Sequence, residues 1–145
     1  MKHFIVCFLF LLTGCVFHPV SHQNVSNNNK YPSDYIVDET YRAQPTLAVV
    51  KMDDDLTLCP QDDYPKKDFV GYIPSGTLLV FSKLELEKDM RMNEDVVWAW
   101  GRFSDGPFAG KRVQLYFISR DIYYPSVNAR IPFVDTNLLK LANKP

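Results

Sequence analysis

A period of two runs through the chain. Thr77–Glu87 reads TLLVFSKLELE, and Lys111–Ser119, KRVQLYFIS, alternates in the same way. Strand side chains alternate between two faces, whereas helical side chains recur about every 3.6 residues. This spacing therefore commits the chain to short extended segments. In the first stretch Leu78, Val80, Leu84 and Leu86 are expected on one face, with Ser82 interrupting, and Leu79, Phe81, Lys83, Glu85 and Glu87 on the other.

The same pattern extends from Tyr41 onward, cut by turn residues. TLAVVKM (Thr46–Met52) is broken by Asp53-Asp54-Asp55, and LTLC (Leu56–Cys59) ends at Pro60. QDDYPKKD (Gln61–Asp68) is a polar loop, Phe69–Ile73 is extended, and Pro74-Ser75-Gly76 is a tight turn. KDMRMNE (Lys88–Glu94) is a polar tip, and DVVWAWGRF (Asp95–Phe103) is the next strand before Asp105-Gly106-Pro107. Pro125 and Pro132 disfavour regular structure near them, and Asp135 or Thr136 caps a short helix through Leu138, Leu139 and Leu141 or an irregular tail. Connections this short predict antiparallel pairing. The expected fold is all-β: a small antiparallel barrel or barrel-like sandwich.

The segment LTLC…GYIPSGTLLVF, with Gly71, Ile73, Gly76 and Thr77, resembles a bacterial SH3-like domain over roughly residues 46–119. Trp98 to Val113 stands where that family has an aromatic strand and a glycine-rich hairpin. The family's frequent Gly-Trp-Val ending is replaced here by GPFAGKRV (Gly106–Val113). The resemblance implies an SH3-like barrel that binds cell-wall material or protein.

The chain opens MKHFIVCFLFLLTGC. A basic start, an apolar run from Phe4 to Leu12 and small residues are the parts of a secretory signal. The run is shorter than the roughly 20 residues that span a bilayer. Leu12-Thr13-Gly14-Cys15 looks like the bacterial lipobox, which implies cleavage after residue 14 and diacylglycerol on Cys15. Several acyl chains hold a protein where one holds it only marginally. Val16, in place of an Asp, favours by the same resemblance the periplasmic face of the outer membrane. Residues 15–40 then read as lipidated cysteine and tether, most clearly in FHPVSHQNVSNNNK (Phe17–Lys30), and residues 41–145 as one domain. Asn24-Val25-Ser26 matches a glycosylation pattern that such a location leaves unused.

Sixteen basic against seventeen acidic side chains give no clustered positive face, so a nucleic-acid partner is not expected. With Cys7 in the signal and Cys15 the lipid site, Cys59 is left single, a small buried hydrophobe. His3, His18 and His22 all fall in the signal or tether, which removes histidine-based triads and zinc sites from the domain. Asp53-Asp54-Asp55 and Asp62-Asp63 lack calcium-loop spacing, GPFAGKR lacks that of a phosphate loop, and no cofactor is expected.

Trp98 and Trp100 lie two residues apart and share a strand face. Either the indoles fill the core and Ala99 faces water, or Val97, Ala99 and Phe103 face the core and the indoles form a platform for glycan or peptide. One indole buried and one at the rim is the intermediate arrangement. Tyr72 and Tyr116 complete the candidate ligand-binding set, and Tyr64-Pro65 and Tyr123-Tyr124-Pro125 put further tyrosines beside prolines. The functional expectation is a non-catalytic, outer-membrane-anchored lipoprotein whose partner is an envelope protein or peptidoglycan. The alternative is an inhibitor or immunity lipoprotein that blocks a wall-degrading enzyme with the loop Lys88–Glu94 or Gln61–Asp68. A hydrolase acting through two carboxylates is the third.

Overall fold

The structure is a computed structural model, described here over residues 20–143. The signal-peptide and Cys15 expectations lie outside that range. Eleven strands form one sheet: β1 (Val20–Asn24), β2 (Thr40–Ala43), β3 (Leu47–Met52), β4 (Asp55–Pro60), β5 (Phe69–Ile73), β6 (Leu78–Asp89), β7 (Asp95–Phe103), β8 (Arg112–Gln114), β9 (Ser119–Tyr124), β10 (Ala129–Val134) and β11 (Leu139–Leu141). The all-β expectation holds. Strands run in the order β11-β2-β6-β7-β8-β4-β3-β5, with β1 added to β6, β10 to β7 and β9 to β10.

The sheet does not close. Among the described residues β5 and β11 end the path without pairing to each other, so the expected closed barrel is corrected to an open sheet curled around one core. Phe108, in the glycine-rich loop before β8, packs beside the edge strand β5. A Cβ at Gly71 would stand 3.2 Å from its ring. Pairing is mostly antiparallel, but β4–β8 and β7–β10 are short parallel pairs. Parallel neighbours need long connections. Here β5, β6 and β7 lie between β4 and β8 in the chain, and β8 and β9 lie between β7 and β10.

β6 departs from its sequence pattern at one point. The register with β7 slips between Phe81 and Lys83, a bulge that leaves Ser82 exposed. A bulge inserts one residue and exchanges the faces beyond it. The inward set is therefore Leu79, Phe81, Leu84 and Leu86, rather than the Leu78, Val80, Leu84 and Leu86 that strict alternation groups on one face. Opposite the bulge, Gly101 lies so close that a Cβ would stand 3.1 Å from the Val80 carbonyl oxygen.

The tether expectation is also corrected over its described part. β1 pairs with β6 from Val20↔Asp89 to Asn24↔Glu85. Asn24-Val25-Ser26 then secures the bulge. Asn24 Oδ1 accepts from Ser26 N at 3.0 Å, the buried Val25 enters the core, and Ser26 Oγ accepts from Leu84 N at 2.9 Å. Tyr35 stacks on Phe81 with ring centroids 4.8 Å apart, and its hydroxyl lies 2.7 Å from Ser119 Oγ. Burial drives that phenol far above its usual titration range, against the opposing Ser119 hydrogen bond. Asp34 Oδ1 accepts from Val134 N at 2.6 Å, which ties the same segment to β10.

Pro132 sits inside β10, beyond the Ala129–Arg130 stretch that pairs with β7, so its missing N–H breaks no bond to that strand. In place of the expected short C-terminal helix or irregular tail stand a single turn and a last strand. Asp135 Oδ1 accepts from Asn137 N at 2.9 Å, its carbonyl accepts from Leu138 and Leu139, and the chain then enters β11.

A chain shortened to begin at Lys30 loses β1, Val25 and the Ser26 hydrogen bond. Its unfolding free energy is expected to fall by at least about 2 kcal/mol relative to a chain that begins at Phe17, from lost apolar burial and strand pairing. Urea denaturation followed by tryptophan fluorescence measures the difference, and equal midpoints would contradict this role for β1.

Candidate functional site

β7 decides between the two readings of its tryptophans. Val97, Ala99 and Phe103 are fully in the core, so Trp98 and Trp100 point to the other face of the sheet. They are not equally exposed: Trp98 is half-buried, and Trp100 is 5 % exposed. The arrangement is the intermediate one, with one indole at the rim and one sunk into the outer face.

Strand pairing builds a cleft around them. Trp100 pairs with Gln114 on β8, and Gln114 pairs with Thr57 on β4. On the other side Trp98 pairs with Glu85 on β6, and Glu87 pairs with His22 on β1. With Met52, Asp53, Asp55 and Arg112 these residues line a cleft of ≈ 470 Å³. His22, read from sequence as a tether residue, is thus part of the folded unit and of this cleft.

Charge in the cleft is partly paired. Arg112 lies over Trp100, its guanidinium carbon 4.3 Å from the ring centroid, and donates to Asp55 Oδ1 at 2.6 Å. Trp98 Nε1 donates to Glu87 Oε2 at 2.9 Å. Lys83 forms an ion pair with Glu85, and His22 Nδ1 lies 3.6 Å from Glu85 and 3.9 Å from Glu87. Four carboxylates and one guanidinium face the space. They form no cage for a metal: among the described residues no group of three or more His, Cys, Asp or Glu side chains is so arranged.

Two buried polar atoms in the cleft have no partner. They are Thr57 Oγ1 and Trp100 Nε1, on residues 1 % and 5 % exposed. Among the described residues Asp121 Oδ1 is the third such side-chain atom. An unsatisfied buried polar group costs about 1–3 kcal/mol. That both atoms belong to residues lining one cleft marks it as the place where a ligand could supply what the fold does not.

The other candidate residues divide. Tyr116 follows β8 in a 3-10 turn, packs on Trp98 with centroids 4.8 Å apart, and donates to Asp121 Oδ2 at 3.1 Å. It supports the rim. Tyr72 does not join the cleft. On β5 it forms a separate aromatic patch, 4.7 Å from Phe69 between centroids and 2.8 Å from Tyr64 between hydroxyls. Between patch and cleft lies a small depression that holds Cys59, Tyr64 and Phe117, and Met52 lines both it and the cleft.

Sequence reasoning missed Thr57, Glu85, Glu87, Arg112 and Gln114 as site residues. Alternation places each on the outward side of its strand, but only the pairing β4–β8–β7–β6–β1 shows that these outward sides meet. No family model, curated protein or solved structure matches the chain.

Cys59 is buried and free, as expected. Burial, and secondarily the Asp63 carboxylate, push its thiol up to about 11. A raised value favours the neutral thiol in the fold, so its contribution to stability is complete below the thiol's ordinary value of 9.0 and fades as pH rises towards 11. Stability measured by urea titration is expected to decline over that interval, and less steeply in Cys59→Ala. Identical slopes would show that the thiol is not protected.

Proposed function

We propose that this chain is a non-catalytic binding module of the bacterial envelope, held to the outer membrane through lipid on Cys15, and that the Trp98–Trp100 cleft is its ligand site. One observation carries the binding half of this reading. The cleft is lined by a rim indole and a sunken indole, and two of its lining residues, Thr57 and Trp100, each carry a buried polar atom without a partner. Binding sites characteristically combine apolar area with a few convergent polar groups. The anchoring half rests on the Thr13-Gly14-Cys15 order after a short apolar run. Peptidoglycan is the ligand favoured by location, since it lies beside the membrane to which such a lipid would hold the domain.

A second reading, inhibition of a wall-degrading enzyme, is favoured by a different feature. The tip of the β6–β7 hairpin presents Met90 and Met92, 76 % and 58 % exposed, flanked by an Arg91–Asp89 ion pair. Exposed flexible thioethers suit a protein surface. Under this reading Met90→Asp/Met92→Asp abolishes protection of sacculi from a muramidase and leaves the cleft intact.

The full chain in non-ionic detergent is expected to sediment with purified sacculi, and Trp98→Ala is expected to weaken that binding about tenfold, as for an aromatic anchor. Trp98 is chosen because its removal leaves Trp100 and the core in place. Sedimentation unchanged in Trp98→Ala would place the wall contact elsewhere, and no sedimentation would turn the search to protein partners.

A further inference from the structure

The cleft's own charges identify a ligand class. It is lined by Asp53, Asp55, Glu85 and Glu87 against Arg112 and the imidazole of His22. Asp55 is neutralised by Arg112. On the opposite side Glu85 and Glu87 face His22 at 3.6 and 3.9 Å, Lys83 pairs with Glu85 from outside the lining, and Glu87 also accepts the Trp98 indole N–H. Lining carboxylate therefore remains in excess beside an aromatic rim.

The protein already places a cation of one kind here. Arg112 lies over an indole and ends on a carboxylate, an arrangement that joins cation–π attraction to an ion pair. A side chain with an aliphatic stem and a cationic head suits the remaining half, where Trp98 and the Glu85–Glu87 pair repeat the same elements. The orphaned Trp100 Nε1–H can only donate, so it calls for a carbonyl or hydroxyl oxygen on the same ligand, and the Thr57 hydroxyl can meet either role.

Resting on the reading of this cleft as the wall-binding site, we propose that it recognises a primary ammonium group on an aliphatic arm beside a carbonyl oxygen, as in the diamino-acid side chain of a wall peptide. Glu87 receives the ammonium, with Glu85 shared between Lys83 and the ligand, Trp98 packs on the arm, and Arg112 is a competing internal cation rather than a ligand contact.

The test uses the full chain in non-ionic detergent and two preparations of sacculi, one untreated and one with its amines acetylated. Acetylation removes the charge and leaves the glycan in place. Untreated sacculi are expected to bind about five- to tenfold better than acetylated ones, the scale of one cation–π contact with an ion pair. Glu87→Gln, which keeps an acceptor for Trp98, is expected to lower binding to untreated sacculi alone, and raised salt to do the same. Arg112→Ala, which removes the competing cation from Asp55 and from the face of Trp100, is expected to tighten binding to untreated sacculi.

Equal binding of both preparations, lost in Trp98→Ala, would overturn the amine proposal while the wall-binding reading stands. Loss of binding in a folded Arg112→Ala variant would also overturn it, since the site would then read an anion. Binding to neither preparation would remove the wall-binding reading and this proposal with it. A short blocked peptide with a central lysine, run against its Nε-acetylated form, separates the amine from the wall polymer. Discrimination between the two peptides supports the amine chemistry, and none overturns it.

Discussion

The slip in register between Phe81 and Lys83 governs what the rest of the molecule can do. β6 is the longest strand and takes partners on both edges: β7 along one, and β2 then β1 along the other. Were the strand to run through Ser82 in regular alternation, with no bulge, burying Leu79 and Phe81 would turn Leu84 and Leu86 to solvent and Glu85 and Glu87 into the core. The bulge keeps all four apolar side chains inward and turns both carboxylates out. It also marks the handover from β2 to β1, since Phe81 exchanges backbone hydrogen bonds with the Asp38–Glu39 turn while Leu84 bonds to Val25 and Ser26. Core and cleft are thus two consequences of one irregularity.

The outer face can hold a site because the sheet uses both of its sides. Inward residues from most strands meet in one core, while a smaller cluster of Ala48, Val50 and Cys59 lies under Tyr64 on the opposite side. Trp100 and Thr57 share that opposite side and are as buried as core residues, yet each keeps a polar atom without a partner. A fold that needed these positions only for packing would be served by apolar side chains at no desolvation cost. Retaining an indole N–H and a hydroxyl there makes sense as provision for a ligand.

The strands from Leu47 to Phe103 were legible in the sequence because alternation and turn residues agree along that stretch. β1 was not, since VSHQN lacks an apolar face and is extended only because the edge of β6 offers hydrogen bonds. The bulge was visible as an interrupting serine, but its effect on the faces was not, because strict alternation cannot show which half of a strand has slipped. Pro132 argued against β10, and the strand forms because that position lies past its contact with β7. Asp135, one of two residues expected to cap a short helix, instead closes a single turn that leads into β11. In the site, Trp98 and Trp100 could be named from spacing alone. Their charged neighbours come from four other strands and depend on pairing that no local pattern encodes.

The central claim is that the Trp98–Trp100 cleft, rather than the hairpin tip or the β5 aromatic patch, meets the ligand. Two-dimensional 1H–15N spectra resolve the two indole N–H groups separately and can be recorded during titration with soluble muropeptides. The account predicts that both indole resonances shift with the same saturation curve, along with the backbone amides of Glu85, Glu87, Arg112 and Gln114. Shifts confined to Met90–Met92 or to Phe69–Tyr72, with the indoles unmoved, would contradict it.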